Sequence, residues 1–194
     1  FVDFKNANIS IANSGFLYGL GVFTGIRANF NQADNTVYLF RPDLHFKRFY
    51  NACRLMHYSG FTGSYDNAKF IEMLTQLFRL NNIREDAYIR VTNFTDENRI
   101  TPKMVDYKDS LCAFLYPMGD YVKATGMRCT VSSWIRTEDN AIPSRAKING
   151  AYVNSAFAKT QALRHGWDEA IFLDANGHVV EGSAENIFLV YDGK

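Results

Sequence analysis

The chain has 194 residues, enough for one large domain or two small ones with a sizeable core, and its formal net charge at pH 7 is +1. A charge this close to zero argues against a nucleic-acid-binding or acidic-membrane-binding surface, which would need a clear basic excess. Hydrophobic residues make up 47% and charged residues 21%, with no membrane-length apolar run and no signal pattern, so a soluble cytoplasmic protein is expected.

The first half of the sequence predicts three strands and two helices in a mixed α/β order. Strand propensity and flanking turns favour strands at ANISI (7–11), VFTGIRANF (22–30) and TVYLF. Apolar residues at near-helical spacing from Leu44 to Met56 predict a helix that starts at about Asp43. A second helix, over about Asn67–Leu80, has a clearer apolar stripe, and Asp66 stands at its N-cap position.

The second half predicts further strands, a domain boundary and a third helix. The strands are expected at AYIRVTNF (87–94), SLCAFLY (110–116), MRCTVSSWI (127–135) and DEAIFLD (168–174), and NIFLV near the end is also strand-like. Pro117–Asp120 interrupts the pattern, so we expect an N-terminal α/β domain at 1–117, an interdomain loop at 118–126 and a second domain at 127–194. Helical periodicity runs from about Ala151 to His165.

Several familiar motifs are absent or fail on inspection. The three cysteines lie far apart, which indicates thiols in a reducing compartment, and no CxxC pair or metal-ligand spacing of histidines is present. The glycines from Gly19 to Gly25 do not match a dinucleotide fingerprint, because the third glycine comes one place too late and a strand follows the motif instead of preceding it. Ser132 and Ser133 lack the glycine elbow of a serine nucleophile.

One lysine and one glutamate suit a single kind of cofactor chemistry. Lys147 lies in AKINGAYVNSAF, and Glu181 lies between HVV and a Gly-Ser turn. A lysine amine can form a Schiff base with a cofactor aldehyde, and a carboxylate can hold a pyridine nitrogen protonated, as pyridoxal phosphate enzymes require. Taken singly, each residue is more simply explained as a solvated surface group.

Five collinear segments together resemble the class IV (fold type IV) pyridoxal phosphate aminotransferases, most closely the branched-chain amino acid aminotransferases. They are NSGFLYGLGVFTGIRA (13–28), LFRPDLHFKRFYNACRLM (39–56), AYIRV (87–91), VSSWIR with AIPSRAKINGAYVNSAFAKTQAL (131–163), and AIFLDANGHVVEGSAENIFLV (170–190). The resemblance implies the two-domain α/β fold that D-amino acid aminotransferases also have. The SSW…IPxxAK…GAYVNS portion favours the branched-chain enzymes within the family.

The resemblance assigns cofactor roles to four residues. Lys147 would form the Schiff base with pyridoxal 5'-phosphate and move a proton between the substrate Cα and the cofactor C4′ carbon. Glu181 would pair with the pyridine nitrogen, and Tyr152 would hydrogen-bond the phenolic oxygen. Arg48 would bind the cofactor phosphate. Without the resemblance, Arg48 would be a surface arginine on an amphipathic helix.

The resemblance also implies a substrate pocket, formed by Tyr18, Phe23, Gly25, Tyr88, Arg90 and Tyr121. Phe23 and Gly25 stand two apart on a strand and therefore share a face, as do Tyr88 and Arg90, with the arginine placed to meet a substrate carboxylate. Tyr18 would reach the site of a neighbouring subunit in a homodimer, and Tyr121 would close the pocket from the interdomain loop. The same aromatic residues would also suit ordinary core packing.

The sequence departs from the family in two ways. Thr24 stands where the family commonly has an acidic residue, which leaves the fine substrate preference open. The family's chain also continues past the position of Lys194, so the second domain is expected to be incomplete, with part of the phosphate site beyond it.

These features predict a transaminase that moves the amino group of Leu, Ile or Val to 2-oxoglutarate in a two-stage reaction, with small amino and 2-oxo acids as its partners. The alternatives are another class IV activity, namely a D-amino acid or (R)-amine transaminase or a 4-amino-4-deoxychorismate lyase, and a truncated relative without catalysis.

Overall fold

The chain forms two compact units in a computed structural model that describes residues 1–119 and 125–194. The first unit comprises Phe1–Tyr121 and Arg145–Gly150, and the second comprises Val122–Ser144 and Ala151–Lys194. Our sequence-based boundaries placed residues 145–150 in the second domain, but these residues group with the first unit because Ile148 pairs with Val22 of a first-unit strand. The interdomain loop at 118–126 stays a prediction.

The first unit contains a four-stranded antiparallel sheet. Its strands are β1 (Gly21–Asn31), β2 (Thr36–Leu39), β3 (Ala87–Thr95) and β4 (Asp109–Pro117), in the order β2-β1-β3-β4. Burial alternates along β3, so Ala87, Ile89 and Val91 face the core while Tyr88 and Arg90 lie on the other face. This alternation places the polar and aromatic site candidates of β3 together on one side.

Four helices belong to the same unit: α1 (Ser14–Tyr18), α2 (Pro42–Leu55), α3 (Ser59–Ser64) and α4 (Asn67–Asn81). Phe49, Phe61 and Phe70 from these helices pack with Ile26 and Ile89 of the sheet in one buried core. The rings of Phe49 and Phe61 meet edge to face with centroids 5.0 Å apart. The predicted N-cap of α4 is confirmed, because the Asp66 carboxylate accepts the Lys69 N–H at 2.8 Å.

The second unit contains three strands and one helix: β5 (Cys129–Val131), α5 (Tyr152–Arg164), β6 (Glu169–Leu173) and β7 (Val179–Gly182). The sheet order is β5-β6-β7, with β5 parallel and β7 antiparallel to β6. Ala158 and Ala162 of α5 pack on Ala170 and Phe172 of β6. Within residues 1–119 and 125–194, no helix is long and apolar enough to cross a membrane.

Three strand predictions were wrong in whole or in part. Residues 7–11 form no strand and are exposed, so their strand propensity finds no neighbouring strand to pair with. The strand predicted over 127–135 ends at Val131, because the Ser132 hydroxyl binds Gln161 of α5 and also accepts the Trp134 N–H. The NIFLV run is exposed and is not a strand. The short helices α1 and α3 were not predicted, since neither has enough turns to show a period.

A buried ion pair joins α5 to the first residue of β6. Glu169 is only 2% exposed, and its carboxylate accepts hydrogen bonds from the Lys159 ammonium and the Ala170 N–H. Burial raises the pKa of Glu169, but the hydrogen bonds from Lys159, Ser183 and Ala170 together hold that pKa below its usual value. The Lys159 ammonium also donates to the Asp168 carbonyl at 2.8 Å, so one cation connects the helix, the strand and its entry.

Replacing Lys159 by Met should destabilise the second unit, because the Glu169 carboxylate would stay buried without its cation. Removing one partner of a buried pair costs roughly 3–5 kcal/mol. We expect the lower end of that range, since the Lys159 side chain is 32% exposed. The measurement is urea unfolding followed by tryptophan fluorescence, because both tryptophans, Trp134 and Trp167, lie in the second unit. The Lys159→Met/Glu169→Gln double variant should recover much of the loss; equal destabilisation of the single and double variants would contradict the pairing.

Candidate active site

The backbone around Lys147 is bound to the start of β1. The Phe23 N–H donates to the Lys147 carbonyl at 3.1 Å, Val22 and Ile148 form an antiparallel bridge, and the Gly150 N–H donates to the Gly19 carbonyl at 3.2 Å. These bonds pair a segment distant in sequence with the strand that carries Phe23. The position of Lys147 is therefore set by the sheet of the first unit.

A glycine makes this backbone contact possible. Gly19 adopts φ +66°, a left-handed conformation that L side chains rarely take, and a Cβ there would lie 2.8 Å from the Gly150 Cα. On the opposite side of the contact, a Cβ on Gly150 would meet the Gly19 carbonyl oxygen at 3.4 Å, which is ordinary van der Waals contact. Gly19 is consequently the more constrained of the two positions.

Two cations contact the ring of Phe23. The guanidinium carbon of Arg90 lies 3.2 Å from the ring centroid, and the Lys147 Nζ lies 5.3 Å from the same centroid. Phe23 is only 5% exposed, so the ring offers an apolar wall with cations attracted to its electron-rich faces. The structure thus brings together three residues that the sequence nominated, and the local positive charge suits an anionic group such as a carboxylate.

Tyr88 and Gly25 adjoin this cluster. The Tyr88 hydroxyl accepts a hydrogen bond from Arg90 Nη1 at 3.3 Å, which orients the guanidinium. A Cβ on Gly25 would lie 2.2 Å from the Tyr88 hydroxyl oxygen, so the missing side chain at position 25 leaves the space that the Tyr88 ring fills. The predicted proximity of Phe23, Gly25, Tyr88 and Arg90 is present, while their contact with a substrate stays a prediction.

Arg48 projects from α2 beside a basic cleft of about 420 Å³ in the first unit. The lining includes three cations, Lys47, Arg48 and Arg145, together with Asn51 and the apolar side chains of Leu44, Ala52, Leu55 and Ala146. Such a concentration of positive charge fits a phosphate. Arg48 also donates from Nη2 to the Thr24 hydroxyl at 2.9 Å.

The second unit contains Glu181 on β7 and an arginine that the sequence analysis did not nominate. Arg136 Nε donates to the Glu181 carboxylate, and its Nη1 donates to Asn154 Oδ1 at 3.3 Å. The arginine side chain is 15% exposed, so this charge-assisted bond is shielded from water and fixes the carboxylate. The available signal was an arginine directly after the short β5 segment, within the VSSWIR motif.

The remaining nominated residues are three tyrosines. Tyr152 is the first residue of α5 and is partly buried, and Tyr18 is the last residue of α1 and is also partly buried. Tyr121 lies outside the described residues. The roles expected for these tyrosines stay predictions.

Comparison with known proteins places this chain among aminotransferases. A family model described as class IV amino-transferase matches residues 21–194. The probable branched-chain-amino-acid aminotransferase of Aquifex aeolicus (strain VF5) is 41% identical over 194 residues, which is 100% of this chain and 61% of the relative. The crystal structure of the branched-chain aminotransferase from Thermoproteus uzoniensis with norvaline has a TM-score of 0.92 and 34% identity, covering 99% of this chain and 63% of that chain.

A second solved structure contains a compound related to the expected cofactor. It is the branched-chain amino acid aminotransferase of T.th, complexed with N-(5'-phosphopyridoxyl)-L-glutamate, with a TM-score of 0.89 and 33% identity, covering 100% of this chain and 62% of that chain. The chain described here spans about three fifths of the length of the relatives it matches.

Replacing Gly19 by Ala should release the Lys147 segment from β1. The left-handed conformation costs about 1–2 kcal/mol for a residue with a Cβ, and the clash with Gly150 should add about 1–3 kcal/mol. We expect faster hydrogen exchange at the amides of Phe23 and Gly150, which bond across this contact. Gly150→Ala is the matched control, because its Cβ has room, and it should leave the Phe23 amide protected. Unchanged exchange of both amides in Gly19→Ala would contradict the steric role of Gly19.

Proposed function

Because the chain belongs to the class IV aminotransferase family, we propose that its protein is a pyridoxal phosphate-dependent transaminase. It moves the amino group of Leu, Ile or Val to 2-oxoglutarate. The observation that carries the proposal is the position of Lys147, whose backbone is hydrogen-bonded to Phe23 and whose Nζ lies 5.3 Å from the ring that Arg90 also contacts. An amine, a carboxylate-binding cation and an apolar wall are thereby placed in one cluster.

The residues present fit pyridoxal phosphate. Arg48 and its two cationic neighbours in the cleft offer charge for the phosphate, and Arg48 can bind it through paired N–H donors. Glu181, oriented by Arg136, offers a carboxylate to the pyridine nitrogen. When bound, pyridoxal phosphate supplies an aldehyde that condenses with amines and a ring that withdraws electrons.

Lys147 has two tasks in this proposal. Its Nζ attaches the cofactor, and the freed amine then takes the proton from the substrate Cα and returns it at the opposite stage of the reaction. The apolar wall of Phe23 on one side limits water near this amine. Tyr152 donates a hydrogen bond to the phenolic oxygen, which keeps the ring oriented.

Substrate binding falls to the β1–β3 face of the first unit. Arg90, oriented by the Tyr88 hydroxyl, binds the substrate carboxylate, while the Phe23 ring contacts a short aliphatic side chain. We further propose a homodimer in which Tyr18 reaches the partner's site. The norvaline in the Thermoproteus uzoniensis structure, an unbranched aliphatic amino acid, is of a size that such a pocket accepts.

The test is attachment of the cofactor to Lys147 in the full-length protein. We expect a visible absorption band from the lysine-bound cofactor, borohydride reduction that fixes pyridoxal phosphate on Lys147 in a peptide map, and a fall in kcat of at least about 10²–10⁴-fold for Lys147→Ala. Lys69→Gln, on an exposed turn of α4, is the matched control and should keep both band and activity. Labelling at another lysine would overturn the assignment.

Substrate profiling separates the transaminase proposal from its alternatives. With 2-oxoglutarate as acceptor, L-Leu, L-Ile and L-Val should be turned over faster than D-alanine or an (R)-amine. Preference for D-alanine or the (R)-amine would indicate another class IV activity with the same lysine. A protein that binds no cofactor would support the non-catalytic alternative.

A further inference from the structure

We propose that Thr24 and His45 are positioning residues that hold the Arg48 guanidinium in place for the cofactor phosphate. The inference rests on the proposed function, because it assigns Arg48 to the phosphate of pyridoxal phosphate. Neither Thr24 nor His45 was nominated as a site residue from the sequence. Both act through Arg48 and not through the reacting atoms.

Thr24 is a buried polar residue in the middle of β1. It stands between Phe23 and Gly25, so its side chain points to the opposite face of the strand, toward α2. Its exposure is 0%, although its strand neighbours on that face are the apolar Val22 and Ile26. A hydroxyl buried among apolar groups must be hydrogen-bonded to be tolerated, and both of its bonds go to residues of α2.

The hydrogen bonds have a single consistent direction. Arg48 Nη2 lies 2.9 Å from Thr24 Oγ1, and His45 Nδ1 lies 2.9 Å from the same oxygen. Arginine can only donate, so the threonine oxygen accepts from Arg48 and its one proton is directed to His45 Nδ1. His45 then accepts at Nδ1 and carries its proton on Nε2. The chain therefore runs from Arg48 through Thr24 to His45.

The charge state of His45 agrees with this direction. Burial lowers the pKa of His45, and the positive charges of Arg48 and Lys147 lower it further, against a smaller opposite effect of Asp43. A neutral imidazole is the form that can accept a hydrogen bond at Nδ1. Because Thr24 and neutral His45 carry no charge, the positive charge of Arg48 is left for an anion.

This arrangement prepares Arg48 for binding. Arg48 is exposed at the cleft it shares with Lys47 and Arg145, and a long side chain in that setting has many rotamers. Since His45 and Arg48 are three residues apart on α2, they lie on the same helix face, directly over Thr24. A guanidinium already held by a buried hydroxyl loses less conformational freedom when the phosphate binds.

The test compares Thr24→Val, which keeps the shape and removes the hydroxyl, with Thr24→Ser, which keeps the hydroxyl. In the full-length protein stripped of cofactor, we measure the dissociation constants of pyridoxal phosphate and of pyridoxal, which lacks the phosphate. Thr24→Val should weaken pyridoxal phosphate about tenfold, as expected for the loss of one hydrogen bond to a charged group. Pyridoxal should bind with unchanged affinity, and Thr24→Ser should stay within about threefold of the wild type for both ligands.

Two further variants serve as matched controls. Thr95→Val removes another fully buried threonine hydroxyl, on β3, that contacts Tyr58 at 3.3 Å and not Arg48, so it should leave both constants unchanged. His45→Asn, which offers an amide oxygen near the position of Nδ1, should bind pyridoxal phosphate more tightly than His45→Leu.

The proposal is overturned if Thr24→Val binds pyridoxal phosphate as the wild type does, if Thr24→Ser is as weak as Thr24→Val, or if pyridoxal weakens to the same extent as pyridoxal phosphate. Failure of the wild-type protein to bind pyridoxal phosphate at Lys147 would instead count against the proposed function. The same variants titrated with inorganic phosphate would then decide the role of Thr24, since loss of phosphate affinity in Thr24→Val alone supports it and equal affinity refutes it.

Discussion

The backbone contact between β1 and residues 147–150 is the constraint on which the candidate site depends. The carbonyl of Lys147 accepts the N–H of Phe23, and the carbonyl of Gly19 accepts the N–H of Gly150. Buried backbone groups must be paired, so these bonds stabilise the segment and fix its register at the same time. Once Lys147 is held beside Phe23, the antiparallel register of β1 and β3 places Arg90 and Tyr88 near the same ring. One short contact thereby aligns groups that come from distant parts of the chain.

Local clustering of charge distinguishes this protein more than its total charge does. The net charge is only +1, yet Arg90 and Lys147 contact one aromatic ring, and Lys47, Arg48 and Arg145 line one cleft. Gathering like charges costs free energy that a bound anion would offset. In the second unit the charges are paired instead, with Arg136 on Glu181 and Lys159 on Glu169. The first unit is thus prepared for anionic ligands, whereas the second holds a single carboxylate in a fixed position.

Local sequence signals predicted those elements whose stabilising partners lie close in the chain. The stripe of α4 and its Asp66 cap, and the strands β1 and β3, agree with the structure to within about a residue. The prediction failed where a distant partner decides the outcome. Residues 7–11 find no strand to pair with, and Ser132 turns away from β5 because it binds Gln161 in a helix that comes later in the chain. Strand formation depends on such partners more than helix formation does.

The sequence alone determined the family, the fold type and the nomination of Lys147, Glu181 and Arg48, because these follow from residue identities in a fixed order; the family match and the structural similarity to solved aminotransferases confirm the first two. Only the tertiary structure assigned residues 145–150 to the first unit, put Arg136 on Glu181 and connected Arg48 to His45 through Thr24. Arg136 and Glu181 are far apart in the chain, as are Thr24 and Arg48. Hydrogen bonds of this kind depend on distances and angles that no spacing in the sequence encodes, so folding had to bring the partners together before they could be recognised.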